Sequence, residues 1–142
     1  CTICVSDAEG FGLSAMESLT SGTPLISTLT GGLQEQITDG ENTFGIGLEP
    51  VSKAIIGSLS VPWIYEDRVS GEDVVDAMFK MYKMSKKDRE KLGALGAKHI
   101  QENYSFSNFR KKWIEVMEGV HKKYGSWENR RNHDNRWECI EL

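Results

Sequence analysis

The sequence predicts an α/β domain in which a short parallel sheet is flanked by helices, followed by a helical carboxy-terminal region. Two short apolar runs, at residues 2–5 and 24–27, are each followed by a glycine-containing turn and then a helical pattern. Strands that alternate with helices through short links favour parallel pairing, with helices covering the sheet. From residue 70 onward the pattern is helical. The domain is predicted over residues 1–124, with a polar tail over residues 125–142.

The first predicted helix begins near Gly12 and ends at Gly22, because glycine followed closely by proline is a common helix stop. Its apolar face is predicted from helical spacing to comprise Leu13, Met16 and Leu19. A second helix is predicted over residues 32–38, and a third strand over residues 44–48. Residues 51–62 mix apolar residues with glycine, serine and proline, so an ordered loop is predicted there.

Three helices are predicted after residue 70. Ser70 with Asp73, and Ser85 with Asp88, have the spacing of a capping box. Apolar stripes are predicted to pack in the core; the first two are Val74, Val75, Met78 and Tyr82, and Leu92, Leu95 and Ile100. The third stripe is the clearest, and comprises Phe106, Phe109, Trp113, Val116, Met117, Val120 and Tyr124.

The composition excludes several classes of protein. A net charge of -4 argues against a general nucleic-acid binder, which needs a positive face to replace phosphate counterions. No apolar stretch approaches the roughly 20 residues of a membrane span, and the first residues do not form a signal sequence. A cytoplasmic protein is therefore expected. Because the chain starts without Met and directly at a strand, an upstream segment is also expected.

The three cysteines, Cys1, Cys4 and Cys139, are too few for a disulfide framework or a zinc site. Cys1 and Cys4 form a C-x-x-C pattern, which in a redox protein lies where a strand gives way to a helix. Here it lies inside the first predicted strand, so buried structural cysteines are predicted. His99 and His121 fall in helices and are predicted to be structural or exposed, and no metal site is predicted.

Two glycine-bearing loops are predicted to meet at the carboxyl edge of the sheet, where open parallel sheets bind ligands. Gly10 and Gly12 open the first helix, and Gly31 and Gly32 precede the second. Glycine lets the backbone approach a ligand closely, and the free N–H groups at a helix start favour an anion. Two such helix starts facing one crevice suit a diphosphate.

Two carboxylates accompany the first loop. Glu9 stands just before the helix and Glu17 in its second turn. A carboxylate accepts hydrogen bonds from two neighbouring hydroxyls, which suits a sugar ring or a ribose. The spacing alone leaves open the alternative that Glu9 is a turn residue and Glu17 a solvated helix residue.

Four blocks in this order resemble the group 1 retaining glycosyltransferases, which have the GT-B fold with a Rossmann-like carboxy-terminal domain. The blocks are residues 9–17 with the E-x7-E motif, residues 21–26, residues 31–35 and residues 39–40. The similarity is strong over residues 1–48 and weaker over the helices. It implies that this chain is the carboxy-terminal, donor-binding part of such an enzyme, incomplete at its amino end.

The resemblance implies a role for each matching residue. Glu9 would contact hydroxyls of the donor sugar and is the catalytic candidate, while Glu17 would hold the ribose. The sugar and diphosphate would be bound by Gly10, Phe11, Gly12, Leu13, Gly31 and Gly32. The donor would be a nucleotide-diphosphate sugar, with no metal or other cofactor, and transfer would retain configuration.

The same resemblance implies that the basic pair for the diphosphate and an amino-terminal acceptor domain lie upstream. This chain alone is then expected to bind donor weakly and to be inactive. An alternative is a free-standing nucleotide-binding module, or one that docks on a partner through residues 107–124. A dinucleotide-dependent oxidoreductase is disfavoured because neither loop has the pattern G-x-G-x-x-G.

Overall fold

The computed structural model describes residues 1–129, whose contacts divide at Tyr104 into two units. The elements are β1 (Thr2–Cys4), α1 (Leu13–Thr20), β2 (Leu25–Thr28), α2 (Leu33–Ile37), β3 (Gly45–Leu48), β4 (Ser52–Ile56), β5 (Ile64–Arg68), α3 (Gly71–Lys83), α4 (Lys86–Tyr104) and α5 (Phe106–Tyr124). The first unit holds β1 to α4, and α5 belongs to the second. The predicted α/β class with a helical carboxy-terminal region is confirmed.

The main sheet has three strands in the order β1-β2-β3, and both pairs are parallel. β2 is central and all of its residues are buried, with Ile26 paired to Ile3 on one side and to Ile46 on the other. Because the strands are parallel, their carboxyl ends share one edge. The loops that follow β1 and β2 therefore both leave the sheet at that edge.

Apolar clusters cover the two faces of the sheet. Leu25 and Ile26 are neighbours on β2, so their side chains point to opposite faces. The cluster around Leu25 is formed by residues from α1, α2, α4 and the position before β3, namely Ala15, Leu19, Leu33, Ile37, Phe44 and Ile100. The cluster around Ile26 contains Leu48 and, from α3, Ala77 and Met81. Helices therefore flank both faces, as predicted.

The buried faces of α1 and α3 match the predicted stripes only in part. Leu13 is 63% exposed and Tyr82 is 81% exposed, while the core residues are Ala15 and Leu19 in α1 and Ala77 and Met81 in α3. Alanine at the contact allows a helix to approach its neighbours closely. The predicted α1 stripe is confirmed at Leu19 and at Met16, which packs against the core, and is wrong only at Leu13. In α3 only Val74 of the predicted stripe packs against the core, and the other three residues are exposed.

The ordered loop predicted at residues 51–62 is wrong. Residues 52–68 form an antiparallel two-stranded ribbon in which Ser52 pairs with Arg68 and Ile56 with Ile64. At the tip, the backbones of Ser58 and Val61 bond to each other in both directions, at 3.1 and 3.2 Å. The glycine, serine and proline residues that suggested a loop are concentrated at this tip, between the two strands.

The caps of α3 and α4 follow the sequence pattern closely. Ser85 Oγ accepts a hydrogen bond from the Asp88 N–H at 3.1 Å, which is the first bond of a capping box. The Asp88 carboxylate accepts from the Ser85 hydroxyl at 2.7 Å, where a full capping box would use the Ser85 backbone N–H. Ser70 caps α3 through the N–H of Glu72. The prediction of buried cysteines is wrong for Cys1, which lies just before β1 and is exposed; Cys4 is half-buried.

The aromatic stripe of α5 was predicted to pack in the core, and this prediction is wrong. No residue of α5, all of which is described, is buried. Apolar faces are buried when two layers of secondary structure pack together. Within the described part of the second unit, α5 is the only helix, so that unit offers it no second layer.

Within residues 1–129, no helix has the length and apolar character needed to cross a membrane. Most of the predicted polar tail, including His133 and Cys139, lies outside the described residues.

Substitution of Gly93 tests the packing of α4. A Cβ at this position would lie 1.8 Å from the carbonyl oxygen of Gly22, in the turn between α1 and β2. We expect Gly93→Ala to lower the free energy of unfolding by about 2 kcal/mol or more, because backbone must move. Gly71→Ala is the matched control, since nothing lies within 4 Å of its added Cβ. Equal urea midpoints for the two variants would contradict this packing.

Candidate functional site

The two glycine loops lie directly against each other at the carboxyl edge of the sheet. The N–H of Gly32 donates to the carbonyl of Gly10 at 3.1 Å. A Cβ added to Gly31 would lie 1.7 Å from the carbonyl oxygen of Glu9, and one added to Gly32 would lie 2.7 Å from that of Phe11. No side chain fits at either position, so both glycines are required by the contact. The structure thus brings the predicted loop residues together.

Glu9 is oriented by the backbone of its own loop. Its Oε1 accepts hydrogen bonds from the N–H groups of Gly10 and Gly12, each at 3.1 Å. Gly12 is the N-cap of α1 and has a φ of 85°, a conformation that favours glycine. The Glu9 carboxylate therefore sits at the helix start, where negative charge is favoured. Within residues 1–129, no hydrogen bond to Oε2 is found.

The start of α1 leaves three backbone donors outside the helical ladder, and two of them, at Leu13 and Ser14, belong to exposed residues. The first helical hydrogen bond joins the Met16 N–H to the Gly12 carbonyl at 3.1 Å, so the N–H groups of Leu13 and its next two neighbours precede that ladder. Phe11 and Leu13 are 46% and 63% exposed. By contrast α2 has only five residues, so its start contributes a weaker dipole than the sequence led us to expect.

Glu17 lies in the second turn of α1, as predicted, and its side chain is exposed. Its backbone carbonyl accepts from the N–H and the hydroxyl of Ser21 at the helix end. Its carboxylate forms no ion pair with any residue of the described chain. Glu17 is thus available to a ligand at the surface of α1.

Two residues that contact Phe11 in the first glycine loop were missed by the sequence analysis. Gln36 is 1% exposed, and its Nε2 donates to the carbonyl of Phe11. Its Oε1 is buried without a hydrogen-bond partner in the described chain. Tyr104 packs edge to face on Phe11, with ring centroids 5.9 Å apart, and burial raises the pKa of its hydroxyl. A glutamine on the apolar face of a short helix was the signal that could have identified Gln36.

Charged residues of β5 also reach the two loops. The Asp67 N–H donates to the carbonyl of Asp7 at 2.7 Å, and the Arg68 guanidinium pairs with the carboxylates of Asp7 and Glu66. A hydrogen bond with Thr30 lowers the pKa of Asp67 below its ordinary value. No local pattern indicated these contacts, because the ribbon itself was not predicted.

His99 has a structural environment, as predicted. Its ring stacks on Phe44 at 4.5 Å, and its Nε2 lies 3.0 Å from the carbonyl of Glu35. Across residues 1–129, no three His, Cys, Asp or Glu side chains are grouped so that they could hold a metal ion.

Comparison with known proteins gives a family match over the same loops. Residues 1–56 match the family model of Glycosyl transferases group 1. The chain is 28% identical over 127 residues to a sucrose synthase of Melioribacter roseus, covering 87% of this chain and 13% of that protein. It is also 28% identical over 124 residues to sucrose synthase isoform 1 of Daucus carota, covering 85% of this chain and 12% of that protein.

A shorter match is closer in sequence. Over 72 residues the chain is 39% identical to a D-inositol 3-phosphate glycosyltransferase of Acidothermus cellulolyticus, covering 49% of this chain and 16% of that protein. The chain thus spans less than one fifth of each of these relatives. The chain is thus similar to group 1 glycosyltransferases, and the short parallel sheet flanked by helices is consistent with a partial GT-B domain.

Substitution of Gly31 tests the contact between the loops. We expect Gly31→Ala to lower the free energy of unfolding by about 2 kcal/mol or more, because the added methyl would overlap the Glu9 carbonyl and φ is 48°. Gly10→Ala is the control in the facing loop, since its Cβ would meet nothing within 4 Å. Urea unfolding measures the stability of both variants. A Gly31→Ala variant as stable as Gly10→Ala would show that the loops do not meet as described.

Proposed function

We propose that this chain supplies the donor-binding half of an enzyme that transfers a sugar from a nucleotide-diphosphate sugar to an acceptor, with retention of configuration. The observation that carries the proposal is the packing of the two glycine loops at the start of α1, within the segment that matches the glycosyltransferase family. A diphosphate next to the N–H groups of Leu13 and Ser14 would be stabilised by hydrogen bonds and by the helix dipole.

Glu9 is proposed to hold the donor sugar. Because two backbone N–H groups fix Oε1, the carboxylate is oriented before a ligand binds, and Oε2 can accept a sugar hydroxyl. Glu17, exposed one turn further along α1, is proposed to accept the two ribose hydroxyls. Phe11, Gly31 and Gly32 would line the same pocket.

The proposed reaction breaks the bond between the anomeric carbon and the diphosphate oxygen. The acceptor hydroxyl forms its bond to that carbon on the same face, and its proton passes to the leaving diphosphate. Stabilisation of the developing negative charge is then the main catalytic contribution of α1. No metal is proposed. An upstream acceptor domain and upstream cations that neutralise the diphosphate are part of the proposed enzyme. A cytoplasmic location remains a prediction.

A second candidate is a module that binds nucleotide or docks on a partner without catalysis. The observation that favours it is the exposed apolar stripe of α5, in which Phe106 is 77% exposed and Met117 is 64% exposed. The upstream reading frame separates the two candidates. A continuous amino-terminal domain supports the enzyme, and a start codon next to Cys1 supports the module.

Glu17→Ala tests the proposed ribose contact. We expect it to weaken binding of UDP-glucose, ADP-glucose or GDP-mannose by about tenfold or more, because hydrogen bonds to a charged group are lost. Isothermal titration calorimetry of this chain measures the affinity, with Glu41→Ala as a control of equal charge change. No binding by the parent chain at millimolar ligand, or equal binding by the parent and Glu17→Ala, would contradict the proposed function.

Glu9→Gln tests the division of roles between the two carboxylates. We expect it to weaken binding of the nucleotide sugar by about three- to tenfold while leaving binding of the corresponding nucleoside diphosphate nearly unchanged. Glu17→Ala should weaken both ligands equally, since both contain the ribose. Calorimetric titrations with each ligand pair measure this difference, and an equal loss for both ligands in Glu9→Gln would refute the assignment of Glu9 to the sugar.

A further inference from the structure

The β4–β5 ribbon is joined to the rest of its unit at its base. The last residues of β5 make these contacts. The Asp67 N–H donates to the Asp7 carbonyl at 2.7 Å, and the Arg68 guanidinium bridges the carboxylates of Asp7 and Glu66. The residue before β4 is held to the same strand, because the Val51 N–H donates to the Arg68 carbonyl at 2.8 Å.

The Asp67 side chain makes a second set of contacts. The Asp67 carboxylate forms a hydrogen bond with Thr30 and an ion pair with Lys53, whose Nζ lies 3.4 Å from Oδ1. The Asp67 side chain is 16% exposed and Thr30 is buried. This carboxylate therefore joins the ribbon to a buried position of the loop after β2.

The two contact points flank the proposed donor site. Asp7 precedes Glu9 by two residues in the loop after β1, and Thr30 immediately precedes Gly31 in the loop after β2. One strand is thus bonded to both loops, next to the residues that the proposed function assigns to the donor. The loops are also bonded directly to each other, from the Gly32 N–H to the Gly10 carbonyl.

We propose that β5 braces the donor site, with Arg68 and Asp67 as positioning residues that hold the two glycine loops at their working separation. The inference rests on the proposed function for the identity of the ligand, but the brace itself is a property of the folded chain. Arg68 touches no proposed ligand group; it acts through Asp7 on the loop that carries Glu9.

Exposed ion pairs contribute little to global stability, and the Arg68 and Asp7 side chains are 42% and 46% exposed. The expected effect is therefore local. Here the ion pair adds to a backbone hydrogen bond and to the bond between Asp67 and Thr30, and contacts in one network act together. Loss of Arg68 should loosen residues 7–12 while leaving the unfolding temperature of the unit nearly unchanged.

The test compares Arg68→Ala with the charge-swapped pair Asp7→Arg/Arg68→Asp. For Arg68→Ala we expect amide exchange at Gly10 and Gly12 to speed up about three- to tenfold, and affinity for UDP-glucose, ADP-glucose or GDP-mannose to fall by a similar factor. The charge-swapped chain should recover most of the slow amide exchange and most of the affinity for the nucleotide sugar. Lys86→Ala, which removes an exposed ion pair with Glu90 on α4, is the control and should change neither quantity.

Unchanged exchange and affinity in Arg68→Ala would overturn the brace. So would an effect that follows a lowered unfolding temperature and is not recovered by the charge swap, because that result indicates only a structural role. If the parent chain binds none of the nucleotide sugars, the proposed function fails, but amide exchange at Gly10 and Gly12 still decides whether Arg68 holds the loop.

Discussion

The backbone contact between the two glycine loops is the constraint on which the proposed site depends. Parallel pairing of β1 with β2 brings both loops to one edge of the sheet, and only glycine at positions 31 and 32 lets them meet there. With a Cβ at Gly31, the Glu9 carbonyl would have to move. The position of Glu9, the start of α1 and the exposed surface around Phe11 all follow from this contact.

The site combines a rigid backbone with few side chains. Glu9 is oriented by two N–H groups of its own loop, Gln36 supports the Phe11 carbonyl from behind, and β5 supports both loops from the side. Such an arrangement suits a ligand that is bound through its phosphates and hydroxyls, since backbone N–H groups and carboxylates recognise these groups at fixed positions. The family match over residues 1–56 covers both glycine loops.

The sequence was sufficient for the parallel sheet, the glycine loops and the caps of α3 and α4, because each has a local signal in residue type and spacing. It was insufficient where tertiary contacts decide. The buried faces of α1 and α3 include Ala15 and Ala77, which carry little apolar signal. Gln36 is buried where its side-chain amide donates to the Phe11 carbonyl. The ribbon contacts of Arg68 join residues 61 positions apart, and no local pattern indicates them.

The most direct test of the account is an NMR titration of the isotope-labelled chain with UDP-glucose, ADP-glucose and GDP-mannose, observing the glycine amides. If the two loops form one donor site, the signals of Gly10, Gly12, Gly31 and Gly32 shift together with a single dissociation constant for at least one ligand. The signals of Gly57 in the ribbon and Gly93 in α4 should stay in place. Shifts confined to other glycines, or no shift at any of these four with millimolar ligand, would contradict the account.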